Sequence, residues 1–111
     1  MKKINLAITG CMGRMGQQII QSVKKDKNFK IAALTEYKNV NKKINGVKVI
    51  SNNDQTFKKV DVIIDFTIPK CTFQVLKIAS KLKKRVVIGT TGFTKKEENL
   101  IKKFSKNIPI L

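Results

Sequence analysis

Three glycines at a three-residue interval, Gly10, Gly13 and Gly16, join a short apolar run to a segment with helical spacing. Ile4 to Thr9 is largely apolar and stops at Gly10, which predicts a buried strand. From Arg14 to Lys25 the residues Met15, Ile19, Ile20 and Val23 recur at helical intervals. A strand that turns into a helix through G-x-x-G-x-x-G is a relative of the dinucleotide fingerprint G-x-G-x-x-G. In that pattern Gly10 makes the tight turn, Gly13 lets a pyrophosphate approach the backbone, and Gly16 lets helix and strand pack closely. The helix start offers unpaired N–H groups and the positive dipole end to phosphates, and Arg14 adds a guanidinium there. A turn serving packing alone would use the same glycines. Its place between strand and helix favours binding.

The rest of the chain repeats the alternation. Phe29 to Thr35 reads as a second strand, Tyr37 to Asn45 as a polar loop, and Val47 to Ile50 as a short extended piece. Asn53 or Asp54 can cap a brief helix through Lys59. Val60 to Thr67 is β-branched and nearly continuous, the pattern of a parallel strand buried on both faces. Pro69 suits the first turn of a helix running to Leu82, Arg85 to Ile88 is another strand, and Thr94-Lys95-Lys96-Glu97 is a capping box opening a further helix. Ile108 to Leu111 begins one more strand. The expected architecture is α/β and Rossmann-like, an open and mainly parallel sheet with helices on both faces. Residues 1–111 are expected to form one dinucleotide-binding domain, truncated at its C-terminal end within a strand and so the N-terminal piece of a longer protein.

Charge is the feature that pulls another way. The 111 residues carry 24 basic and 7 acidic side chains, a formal net charge of +17. Such a balance suits nucleic-acid binding. The lysines, however, are scattered as pairs over the whole length, and Arg14 and Arg85 are the only arginines. With one tyrosine and no tryptophan, no platform for stacking bases is evident. The plainer reading is a set of solvated faces, without a specific nucleic-acid partner. No apolar run is long enough to span a membrane, the N-terminal Lys2-Lys3-Ile4 stretch fits a strand better than a secretory signal, and a cytoplasmic location is expected. Cys11 and Cys71 are too few for a disulfide framework and have no metal-ligand spacing, so no metal is expected. The chain has no histidine, so any chemistry needing imidazole must find it elsewhere.

Three other strand ends carry unusual residues. Glu36, 26 positions after Gly10, stands where an acidic side chain accepts hydrogen bonds from an adenosine ribose. Asp65-Phe66-Thr67-Ile68-Pro69 follows the third main strand, and Asp65 is equally suited to capping the next helix or to touching a ligand. Gly89-Thr90-Thr91-Gly92-Phe93 follows the fourth, with room and hydroxyls for a nicotinamide and a polar substrate.

The Gly10 to Gly16 turn with its G-R-M-G core, the Asp65-Phe66-Thr67-x-Pro69 segment and the Gly89-Thr90-Thr91-Gly92-Phe93 segment resemble, in that order, the dihydrodipicolinate reductase family. The resemblance spans essentially the whole chain. It implies an oxidoreductase that passes hydride from NADH or NADPH to a cyclic unsaturated dicarboxylate, in the diaminopimelate route of lysine biosynthesis. It also implies that Gly10, Cys11, Met12, Gly13, Arg14 and Met15 wrap the pyrophosphate and that Glu36 holds the adenosine ribose. Phe66 would lie near the cofactor, while Gly89, Thr90 and Thr91 would contact the nicotinamide half, with Thr91 also close to the substrate. Many members place an arginine directly after the glutamate, to meet the 2′-phosphate of NADPH; here Tyr37 stands there with Lys38 beside it, so the cofactor is NADH, NADPH or both.

The family's substrate-binding histidines and lysine belong to a second α+β domain that also builds a homotetramer, and no catalytic residue is expected among these 111. Weak dinucleotide binding and no useful turnover are therefore expected of this chain alone. Two other classes fit parts of the pattern: a non-catalytic Rossmann nucleotide-binding module, and a basic nucleic-acid-binding domain.

Overall fold

The computed structural model describes residues 2–38 and 40–111. In chain order they form β1 (Ile4–Thr9), α1 (Arg14–Lys24), β2 (Phe29–Glu36), β3 (Lys43–Ile44), β4 (Val47–Ser51) and α2 (Asp54–Lys58). β5 (Val62–Asp65), α3 (Pro69–Leu82), β6 (Arg85–Ile88) and α4 (Lys95–Phe104) follow. The sheet order is β3-β4-β2-β1-β5-β6. All pairings are parallel except β3 with β4.

β1 sits at the centre because both of its faces are apolar. Ile8, with Leu34 and Val49, packs under Ile20 of α1 on one side of the sheet. On the other side Ala7, Ala33, Ile63 and Val86 meet Phe57 of α2 and Val75, Leu76 and Ala79 of α3, with Ile101 and Phe104 of α4 against the same core. Helices thus cover both faces, as the apolar runs predict. Ile63, Val75 and Leu76 are fully buried, each worth about 1.5–3 kcal/mol relative to exposure.

Local sequence explains the element ends. Asn53 accepts a hydrogen bond from the Thr56 amide at 2.9 Å and caps α2. Thr94 and Glu97 form the complete capping box of α4, Thr94 N–H to Glu97 Oε1 at 2.8 Å and Glu97 N–H to Thr94 Oγ1 at 3.1 Å. Pro69 opens α3, and Lys83 closes it in the left-handed region at φ 58°.

Two expectations change. The polar loop placed at Tyr37 to Asn45 contains β3, which folds back on β4 through Asn45 and Gly46. Both turn residues have positive φ, 50° and 81°, the geometry that Asn-Gly supplies in two-residue hairpins. The long strand read at Val60 to Thr67 shrinks to Val62–Asp65, because Val60 N–H bonds Phe57 carbonyl to finish α2 and Thr67 N–H turns to a side chain. The last residues do begin a strand: Ile110 bridges Val86 in parallel, with Val86 N–H to Pro109 carbonyl at 3.1 Å.

The register aligns the functional ends. Thr9 lies opposite Thr35 on one side and Asp65 on the other, and Asp65 lies opposite Ile88. From β1 the chain runs outward to β2 and β4, then returns to β5 on the other side of β1. The carboxyl ends of β1 and β5 therefore flank a topological switch point, where open α/β sheets bind ligands.

Candidate functional site

A cleft of about 370 Å³ opens at that switch point. Gly10 and Gly13 form one wall, Glu36 and Tyr37 the end of β2, and Phe66, Thr67 and Ile68 the segment after β5, with Cys71 behind.

The glycine turn is shaped by close backbone contacts. Gly10 has φ 75°, and a Cβ there would stand 2.1 Å from the Phe66 carbonyl oxygen. A Cβ on Gly16 would stand 2.3 Å from the Gly10 carbonyl oxygen, so α1 is pressed onto the turn. Gly13 differs: the nearest atom to a Cβ there is the Gly10 oxygen at an ordinary 3.4 Å, and Gly13 lines the cleft. It is also the N-cap of α1, with no side-chain cap and no acidic residue in the first turn. A bare backbone at an uncapped helix start suits a diphosphate. The main chain fits a dinucleotide.

Glu36 reaches back over this turn. Its Oε2 accepts a hydrogen bond from the Met12 amide at 2.7 Å, which fixes the carboxylate between the glycine turn and Tyr37. Arg14 and Met15 are exposed in the first turn of α1, and Met12 is half-buried. Cys11 is placed otherwise: its side chain is fully buried among Ile8, Ile20 and Leu34. Burial, with the Glu36 charge adding to it, pushes that thiol up to about 12. The Cys11 side chain is therefore withheld from a ligand, and its N–H is donated to the Thr35 carbonyl at 3.4 Å.

Asp65 neither caps α3, whose N-cap is Ile68, nor lies open to the cleft. It is fully buried and collects four threonine hydroxyls. Thr9 and Thr67 donate to Oδ1 at 2.5 and 2.8 Å, and Thr72 and Thr90 donate to Oδ2 at 2.5 and 3.0 Å. No ion pair to it occurs among the described residues. Hydrogen bonds to a charged acceptor contribute about 1.5–3 kcal/mol each, which offsets the cost of burying the carboxylate.

The Gly89 to Phe93 segment is tied to this cluster. Gly89 N–H donates to the Asp65 carbonyl at 2.7 Å, and Thr90 Oγ1 also accepts from the Thr67 amide at 2.8 Å. A Cβ on Gly89 would lie 2.0 Å from the Phe66 ring, so the ring separates this segment from the cleft and rests on both. Thr90 is buried, Thr91 is exposed, and the rings of Phe73 and Phe93 pack edge to face with their centroids 5.9 Å apart. The structure therefore gathers Gly10, Gly13 and Glu36 in one cleft and holds Gly89 to Thr91 beside it through Phe66 and Asp65.

Sequence reading missed Thr9, Thr72 and Cys71. A hydroxyl ending an apolar strand was the available signal for Thr9; for Thr72, in the first turns of α3, there was none. Cys71 is buried, bonded by Asn52 Nδ2 at 3.4 Å, and its thiol is raised chiefly by burial.

Residues 4–111 match the protein family described as dihydrodipicolinate reductase, N-terminus. The 4-hydroxy-tetrahydrodipicolinate reductase of Pelagibacter ubique is 73% identical over 111 residues, all of this chain and 43% of that protein. The enzyme of the same name from Bdellovibrio bacteriovorus is 41% identical over 111 residues, all of this chain and 44% of that protein. Among solved structures, the dipicolinate-bound dihydrodipicolinate reductase from Paenisporosarcina sp. TG-14 superposes with a TM-score of 0.76 at 27% identity. That match covers 94% of this chain and 43% of the other. The chain spans less than half the length of these relatives.

Proposed function

The chain belongs to the dihydrodipicolinate reductase N-terminus family, and we propose that it is the nicotinamide-dinucleotide-binding portion of a 4-hydroxy-tetrahydrodipicolinate reductase. The observation that carries the reading is the bare backbone at Gly13, at the uncapped start of α1 and beside Glu36.

Gly10 to Met15 would wrap the pyrophosphate. The amides of Gly10, Cys11, Met12 and Gly13 are donated to Thr35, Glu36 and the turn itself, so the N–H groups of Arg14 and Met15 at the start of α1 would meet it. Glu36, already oriented by the Met12 amide, would take the adenosine ribose. The Gly89 to Thr91 segment would carry the nicotinamide half, its position set by Asp65. The cofactor supplies hydride to a cyclic unsaturated dicarboxylate. Proximity and orientation dominate such a transfer. What these residues contribute is the placing of the donor.

Substrate contacts, proton supply and the tetramer interface are assigned to the part of the relatives that lies outside the match. On this reading residues 1–111, which lack histidine and cover 43% of the length of the Pelagibacter relative, bind dinucleotide weakly by themselves and do not turn over. Membership of the diaminopimelate route to lysine and a cytoplasmic location belong to the same reading. Both cysteines are free thiols, as a reducing compartment leaves them.

Titration of the chain with NADH and with NADPH, followed by nicotinamide fluorescence, tests the reading. Saturable binding of either that is lost in Gly13→Ala supports it. No binding of either overturns it, and family-like rates of NADH oxidation with substrate would overturn the division of labour.

A further inference from the structure

The end of β2 holds a carboxylate at Glu36 and no guanidinium after it. A 2′-phosphate brought to that end meets repulsion unless a cation stands near. One does, and it comes from another element. Lys70 is the second residue of α3, and its Nζ stands 5.5 Å from the centroid of the Tyr37 ring. Tyr37 is 42% exposed and walls the cleft. Among the described residues Lys70 is the cation over this ring.

The position of Lys70 is unfavourable for the helix itself. A lysine in the first turn lies at the positive end of the helix dipole, where it destabilises. No acidic residue accompanies it in that turn. Local helix energetics therefore do not account for Lys70, whereas an anion in the adjoining cleft would. Ile68, two residues before it, lines the cleft and is 62% exposed, so this side of the mouth is apolar surface, with the Lys70 ammonium over the neighbouring Tyr37 ring.

We propose that Lys70, acting across the Tyr37 ring, is the residue that meets the 2′-phosphate of NADPH at this cleft. Tyr37 offers its ring to the adenine, and the Lys70 ammonium meets the 2′-phosphate. Glu36 takes the ribose hydroxyl when that phosphate is absent. An ammonium on a flexible stem balances a phosphate without the fixed fork of arginine. The site tolerates the phosphate and does not require it. This inference rests on the dinucleotide reading above.

The test measures Kd for NADH and for NADPH separately, by nicotinamide fluorescence, for the unaltered chain and for Lys70→Ala, Lys70→Arg and Lys38→Ala. Loss of one charge-assisted contact to phosphate in Lys70→Ala weakens NADPH by about tenfold and leaves NADH unchanged. Lys70→Arg retains NADPH, and Lys38→Ala leaves the ratio of the two constants where it was. Raising the salt concentration weakens NADPH more than NADH in the unaltered chain, and that difference disappears in Lys70→Ala. If both cofactors bind but Lys70→Ala moves them equally or not at all, or Lys38→Ala alone shifts the ratio, this inference fails and the dinucleotide reading stands. If the unaltered chain binds neither, both fail.

Discussion

Thr90 and Asp65, 25 residues apart in sequence, are joined Oγ1 to Oδ2 at 3.0 Å inside the protein. The same Thr90 oxygen accepts the Thr67 amide at 2.8 Å, so one hydroxyl links the segment after β6 to the segment after β5. Thr90→Val keeps the volume and removes both bonds. It leaves an amide and a buried carboxylate oxygen short of a partner, a loss of about 1–3 kcal/mol, read as a lower urea midpoint with an unchanged slope. Thr91→Val, at an exposed position, leaves the midpoint in place. Equal midpoints for the two variants would contradict the assignment of Thr90 as an anchor.

Gly13 and Gly16 separate binding from folding. Alanine at Gly13 meets its nearest neighbour at 3.4 Å, with φ −75° and ψ 170° open to any residue. Gly13→Ala therefore meets no clash and costs only the roughly 1 kcal/mol or less by which glycine exceeds alanine as an N-cap, but it loses NADH affinity by about tenfold or more, since the methyl group occupies the approach of the pyrophosphate. Alanine at Gly16 would press on the Gly10 oxygen at 2.3 Å and on the Cys11 Cα at 2.8 Å. Gly16→Ala costs about 1–3 kcal/mol of stability, seen as a lower Tm before any ligand is added.

The Cys11 thiol makes stability fall at high pH. Its native value is pushed up to about 12, above that of an unfolded cysteine, so the stabilisation is fully present below pH 9 and is lost as pH rises towards 12. In that window the unfolded chain releases the proton that the native core retains, which costs up to about 1.4 kcal/mol per pH unit. Urea titrations of the unaltered chain and Cys11→Ala at stepped pH should show their difference shrinking above pH 9. The same burial predicts that iodoacetamide leaves Cys11 unmodified in the native state at pH 8. Rapid labelling there would contradict the buried placement.

The hairpin turn gives a purely conformational test. Gly46 has φ 81° with open space around the missing Cβ, so Gly46→Ala introduces backbone strain without a clash and destabilises by about 1 kcal/mol. Asn45→Gly, at φ 50°, relieves a left-handed side chain and leaves stability unchanged within a few tenths of a kcal/mol. Thermal melts of the two single variants check both.

The alternation of strands and helices was legible because each signal is local. Apolar runs of four to six residues, Pro69 before α3, and the Thr94–Glu97 box each report on their own neighbours. The Asn45-Gly46 turn was also local, but the lysines and asparagines before it masked the two-residue β3. Asp65 was different in kind. Its partners sit at positions 9, 67, 72 and 90, and no spacing rule connects four threonines scattered over that range. Nor could a motif show that Cys11 points into the core while its backbone stays at the turn, since the fingerprint constrains main chain and not the side chain between its glycines. Lys70 escaped for the same reason as Asp65: its relation to Tyr37 exists only across two elements.

Because β1, β5 and β6 are neighbours in one sheet, the spacing of a hydrogen-bonded lattice sets how far apart the two gripping segments stand. The turn after β1 and the segment after β6 are separated by two strand intervals, about 10 Å, and the hydroxyl cluster around Asp65 braces the rim between them. That rim acts as a gauge block. A small phosphate-bearing molecule can seat at one end of it, but a guest that engages both ends must have the right reach, so length screens ligands before any particular atom is read.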